Sequence, residues 1–157
     1  MKTLNESDRI AAGLMKLRAE GPFVVALDLS GSSQRDVVRW ASHDIAAGLL
    51  AVGQRAATFF TFSETVMGEE PNVPLELLLD VALDRLFDAA SPGGTRLEPV
   101  FWRAREIKAK SVIVFSDCEF TPGDGQRSVG KLRVLFVKYP NVQATGSEIG
   151  LTIPYMR

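Results

Sequence analysis

Five consecutive apolar residues, Phe23-Val24-Val25-Ala26-Leu27, run straight into one carboxylate, Asp28, and then into Ser30, Gly31 and Ser32. A run apolar at every position leaves no face for water. It predicts a strand buried on both sides, the signature of a parallel sheet covered by helices. The pattern recurs at Val112-Ile113-Val114-Phe115, which Ser116 and Asp117 close. In open α/β sheets, ligands gather outside the carboxyl ends of such strands. Asp28, Ser30 and Ser32 therefore stand where oxygen ligands of a hard cation are expected.

The rest of the chain supplies the helices that such a sheet needs. Ile10, Leu14 and Leu17 fall at helical spacing, which predicts an amphipathic helix over about residues 5–20, capped by Asn5 or Ser7 and stopped by Gly21-Pro22. Val37, Val38, Ala41, Ile45, Leu49 and Val52 predict a second helix over 34–52, with Gly53 as its stop. Thr58-Phe59-Phe60-Thr61-Phe62 is β-branched and aromatic and predicts a strand, followed by a short edge strand near 65–67 and a proline-bearing loop over 68–74. Helices over about 75–89 and 96–109 flank the breaker Ser91-Pro92-Gly93-Gly94-Thr95. Strands over 111–116 and 132–137 follow, with a short last strand at 151–153. Strands alternating with helices make this an α/β chain: a doubly wound, mostly parallel sheet in a Rossmann-like three-layer sandwich, with helices on both faces and one short edge strand. Residues 1–157 read as a single domain.

Composition narrows the function by exclusion. A formal net charge of −1 gives no general attraction to nucleic acid or anionic membrane. No apolar run approaches the roughly 18 residues of a spanning helix, and no signal-peptide core opens the chain. Cys118 is the only cysteine, so a reducing, cytoplasmic setting is expected. His43 is the only histidine, which rules out a multi-histidine metal centre.

Two buried strands thus end in Asp28 and Asp117, and Gly93-Gly94-Thr95 offers a further hydroxyl. If the two strands are neighbours where the sheet order reverses, the three loops meet above one crevice. The donors are all oxygen, which suits magnesium, manganese or calcium rather than zinc or copper. Asp28-x-Ser30-x-Ser32, then Thr95, then Asp117, resembles the metal-ion-dependent adhesion site of the von Willebrand factor A family, in the family's order of elements over nearly the whole chain. The resemblance implies direct ligation by Ser30 and Ser32, ligation by Thr95 directly or through water, and water-mediated or hydrogen-bonding roles for Asp28 and Asp117. It also implies Mg2+ as the cofactor, with Mn2+ or Ca2+ as alternatives. A cation held mainly by neutral hydroxyls stays electrophilic and takes a Glu or Asp side chain of a partner protein in its vacant position. Two departures stand out: Cys118 and Glu119 follow Asp117 where many members carry glycine, and the polar tail after residue 137 lacks the family's last helix.

The rim of such a site comprises Ser33, Gln34 and Arg35, then Ser63 and Glu64, Pro92 to Arg96, and Glu119 to Gly123. Arg35 and Arg96 would steer an acidic partner toward the cation, or else pair with Glu64 or Glu119. Enzyme chemistries find no footing. An aspartyl-phosphate mechanism lacks a second acid two positions after Asp28, Gly93-Gly94-Thr95-Arg96 lacks the phosphate-loop lysine, and no Gly-x-Ser-x-Gly elbow exists. The expectation is a non-enzymatic, metal-dependent protein–protein recognition module. A metal-dependent phosphohydrolase and a ribonucleoprotein component are the alternatives.

Overall fold

The computed structural model describes residues 5–29, 35–77, 79–91, 93–139 and 149–156. Six strands form one sheet: β1 (Phe23–Asp28), β2 (Ala56–Phe62), β3 (Val66–Pro74), β4 (Ser111–Ser116), β5 (Arg133–Lys138) and β6 (Leu151–Pro154), in the order β3-β2-β1-β4-β5-β6. Every adjacent pair is parallel except β2 with β3. Among the described residues, four helices accompany it: α1 (Glu6–Lys16), α2 (Arg35–Ala51), α3 (Leu79–Asp88) and α4 (Glu98–Glu106). The two apolar runs become the central pair, with Val24 opposite Val112 and Ala26 opposite Val114. Every residue of β1 and of β4 is buried.

The pleat divides each central strand between two cores. Val25, Leu27, Ile113, Phe115, Leu135 and Val137 meet α1, α2 and α3 on one face. Val24, Ala26, Val112, Val114, Val134 and Phe136 meet α4 and the segment around Phe120 on the other. This is the doubly wound, three-layer α/β sandwich expected from the sequence.

Several boundaries differ from expectation. The segment over 68–74 is not a loop: β3 extends through it for nine residues. As the sheet's edge it tolerates Pro71, because an edge strand has no further neighbour to receive the missing N–H. A register shift between Ala57 and Phe59 absorbs the proline, and the adjacent Asn72, at φ 49°, donates its N–H to the Thr58 hydroxyl at 3.2 Å. The short edge strand is instead β6, at four residues. α1 stops at Lys16 rather than near residue 20, because Arg18 turns left-handed at φ 53°. Ala19 then donates to the Leu14 carbonyl and Arg18 to that of Met15, a Schellman closure that needs no glycine when the left-handed strain is accepted. Lys108 (φ 62°) closes α4 in the same way, before the expected residue 109. α3 and α4 begin at Leu79 and Glu98, later than the expected 75 and 96. The tail over 140–148, with its expected lack of a last helix, lies outside the described residues. Over β5 and β6 the covering helix is α1.

Candidate functional site

From β1 the sheet order runs one way to β2 and β3, and from β4 the other way to β5 and β6. The carboxyl ends of β1 and β4 therefore flank the reversal, the position at which ligands of open α/β sheets gather. Asp28 ends β1 with only 3% of its surface exposed. Burying a carboxylate is costly unless hydrogen bonds replace water, and the Ser116 hydroxyl at the end of β4 donates to Asp28 Oδ2 at 2.7 Å. Ser116 Oγ accepts in turn from the Cys118 N–H at 3.1 Å. The ends of the two strands are thereby tied by side chains as well as by their ladder.

Asp117 is half-buried, and its Oδ1 accepts from the Glu119 N–H at 3.0 Å, an Asx turn that carries the chain away from the sheet. Between them, Cys118 is fully buried with φ 62°. That left-handed backbone is the one glycine adopts at least cost; here a small thiol fills the space beneath it. Burial, with the neighbouring Asp117 carboxylate adding to it, pushes the Cys118 thiol up to about 12, so at neutral pH it is a protonated filler.

Thr95 is half-buried on a loop fastened at both sides. Arg96 N–H donates to the Ser63 carbonyl at 2.8 Å, next to the end of β2. Leu97 and Glu98 N–H donate to the two Asp124 carboxylate oxygens at 2.8 and 3.3 Å, which satisfies the first free amides of α4 from a distant loop. A Cβ added at Gly93 or Gly94 would come within 3.0 Å of Ser63 Oγ or Glu64 Oε1, so this loop lies directly on the turn after β2. Ser30 and Ser32, with Ser33, Gln34 and Pro92 of the rim, lie outside the described residues.

The rim arginines are engaged away from Glu64 and Glu119. Arg96 pairs with Glu98 at 3.4 Å, and Arg35 lies 5.8 Å over the Phe87 ring of α3. Glu64 Oε1 accepts weakly from the Gly94 N–H at 3.4 Å, and Glu119 is exposed. Two contributors were not read from the sequence. Ser116 could have been suspected from its hydroxyl one position before Asp117; Asp124, whose partners sit 26 and 27 residues away, left no local signal.

The segments leaving β1, β2 and β4, from residue 28 to 34, 63 to 65 and 117 to 124, hold Asp28, Glu64, Asp117, Glu119 and Asp124 and no Lys or Arg. Among the described residues, no three His, Cys, Asp or Glu side chains converge on one point. A cation at this edge would thus rest on hydroxyls beside Asp28 and Asp117, a donor set that fits a hard ion and not zinc.

These features define a von Willebrand A-like, Rossmann-like α/β fold whose sheet order reverses between β1 and β4. The same fold is found in the crystal structure of an aerotolerance-related membrane protein from Bacteroides fragilis NCTC 9343 carrying multiple mutations to serines. The similarity has a TM-score of 0.53 at 14% identity, over 80% of this chain and 73% of that one. The sequence matches no family profile and no curated protein. Among the described residues, no helix is long and apolar enough to cross a membrane.

Proposed function

We propose that this protein is a non-catalytic recognition module that binds a Glu or Asp side chain of a partner protein through a hard divalent cation at the carboxyl edge of β1 and β4. The observation that carries the proposal is the buried Asp28, bonded to Ser116 across the point where the sheet order reverses. Asp28, Ser30, Ser32, Thr95 and Asp117 would hold the ion, with Mg2+ the expected occupant and Mn2+ or Ca2+ as substitutes. When bound, the cation supplies a Lewis-acidic position for a carboxylate.

The chain's own residues do the rest. Ser116 fixes the Asp28 carboxylate, while Ser63 and Asp124 hold the Thr95 loop against the edge. Arg35 and Arg96, already partly engaged, contribute positive charge near the rim, and Glu64 and Glu119 border it. The only histidine, His43, is bonded to Asp80 on the α2–α3 surface, and the only thiol, Cys118, is buried. A cytoplasmic setting belongs to the same proposal.

Isothermal calorimetry with Mn2+ and Mg2+ on the wild type and Asp28→Asn tests it. Saturable binding by the wild type alone supports the site; equal binding by both, or by neither, removes it. Magnesium-dependent phosphatase turnover that is lost in Asp28→Asn would replace the reading with a phosphohydrolase.

A further inference from the structure

The opposite edge of the sheet carries the opposite charge. The segments leading into β1, β2, β4 and β5, residues 17–22, 52–55, 107–110 and 125–132, hold Arg18, Arg55, Lys108, Lys110, Arg127 and Lys131, with Arg133 opening β5, against one carboxylate, Glu20. Three of these groups converge with a fourth cation from α4. Arg105 at the end of α4, Lys110, Lys131 and Arg133 line an open groove of about 650 Å³ beneath β4 and β5, with Glu20 at its margin.

Their partners show how the charge is held. Arg105 donates to the Ser128 carbonyl at 3.3 Å, and Arg133 to the Leu17 carbonyl at 3.3 Å. Neutral carbonyls orient both guanidinium groups without cancelling their charge. Among the described residues, only Lys110 of these four finds a carboxylate, Glu20, at a loose 3.8 Å. Gly130, at φ 54°, lies so close to Arg105 that an added Cβ would sit 3.1 Å from its guanidinium carbon, so the turn itself braces this side chain. Arg18 and Lys108 add charge at left-handed positions where glycine would be less strained.

We propose that this groove is a second interaction surface, which takes an extended acidic segment of a partner polypeptide. Oriented but unneutralised guanidinium groups bind carboxylates bidentately, and flanking lysines extend the attraction along a chain. A compact phosphate fits the groove poorly. Phosphate sites draw on converging backbone N–H groups, usually at a helix N-terminus. Here α4 directs its carboxyl end at the groove, and the nearby amides of Lys108, Ala109, Lys110 and Arg133 already donate to backbone carbonyls. Anionic groups must therefore be met by side-chain tips, which four separate residues contribute.

The test is fluorescence anisotropy with labelled octaglutamate, in the presence of a chelator so that no cation site contributes. Failure here is therefore separable from failure of the metal-site reading. Saturable binding that weakens with added salt is expected. Lys131→Glu and Arg105→Gln should each weaken it roughly tenfold, whereas Arg85→Glu on α3 should leave it unchanged. Lys131 is exposed and has no side-chain partner among the described residues, so its reversal leaves the fold intact. Absence of saturable binding, equal losses in Lys131→Glu and Arg85→Glu, or displacement of octaglutamate by tripolyphosphate at matched charge would each overturn the proposal.

Discussion

The two edges of one sheet solve opposite electrostatic problems. At the carboxyl edge the charge is anionic and partly buried, held by Ser116 and by backbone amides. At the amino edge it is cationic and exposed, held by carbonyls at Arg105 and Arg133. The difference follows from the strands. Buried strands that end at a sheet reversal create a crevice in which a few fixed side chains are desolvated together. Strand beginnings only gather loops at the surface, where long side chains keep their heads in water. One edge is therefore built for a few short, directional contacts, and the other for attraction that salt weakens.

The comparison breaks most visibly at Asp28. Asp28→Asn keeps an acceptor for Ser116 but removes the charge, so divalent-ion binding measured by calorimetry should be lost while the fold, followed by circular dichroism, persists. Ser116→Ala is expected to cost about 1–3 kcal/mol, because a buried carboxylate loses one of its donors and the Cys118 N–H loses its acceptor. Chemical denaturation measures that cost, and a loss below the detectable range would mean that the tie between the strands is ornamental. Cys118→Val should cost about 2 kcal/mol or more, since a β-branched side chain is strained at φ 62°. Cys118→Gly should stay within about 1 kcal/mol of wild type, the relieved backbone offsetting lost packing.

A smaller effect is chemical. The Cys118 thiol is raised in the folded state, so its contribution is complete below the unfolded value of 9.0 and is lost as pH rises toward about 12. A disulfide-based thiol reagent at pH 8 should label unfolded protein and leave folded protein untouched. The smallest effect lies on the α2–α3 surface. His43 first, and then Arg39, hold the Asp80 carboxyl below its ordinary 3.8. A depressed folded value stabilises above 3.8 and is lost as the pH falls through it, so the urea midpoint of the wild type should fall more steeply in acid than that of His43→Leu. The pair is exposed, which keeps the difference small.

How far the sequence reached depends on where each residue's partners lie. β1 and β4 were legible to the residue, because unbroken apolar runs closed by a carboxylate admit few other structures in a chain so rich in helical segments. β3 was not. Pro71 and the charged Glu69-Glu70 read as loop, yet those glutamates face opposite sides of an edge strand. Glu69 takes a two-pronged contact from Arg103 of α4, and Glu70 one from Arg85 of α3. Only tertiary structure supplies those partners. The carboxylates and Thr95 of the candidate site were readable from their position after strands and breakers. Ser116 and Asp124, which fasten them, act through long-range bonds that no local pattern encodes.

The last described strand has a mechanical consequence. Tyr155, beyond β6, is fully buried; its hydroxyl donates to Asp44 of α2 at 2.6 Å and its ring meets Phe115 and Tyr139. One residue on, the Met156 N–H donates to the Glu6 carboxylate of α1 at 3.1 Å. The path of the chain thus closes almost into a ring, with residues 6 and 156 touching. Tension applied between them would load that contact and the Tyr155 plug before the sheet ladders, because both positions lie side by side at one corner of the fold, clear of the two edges of the sheet.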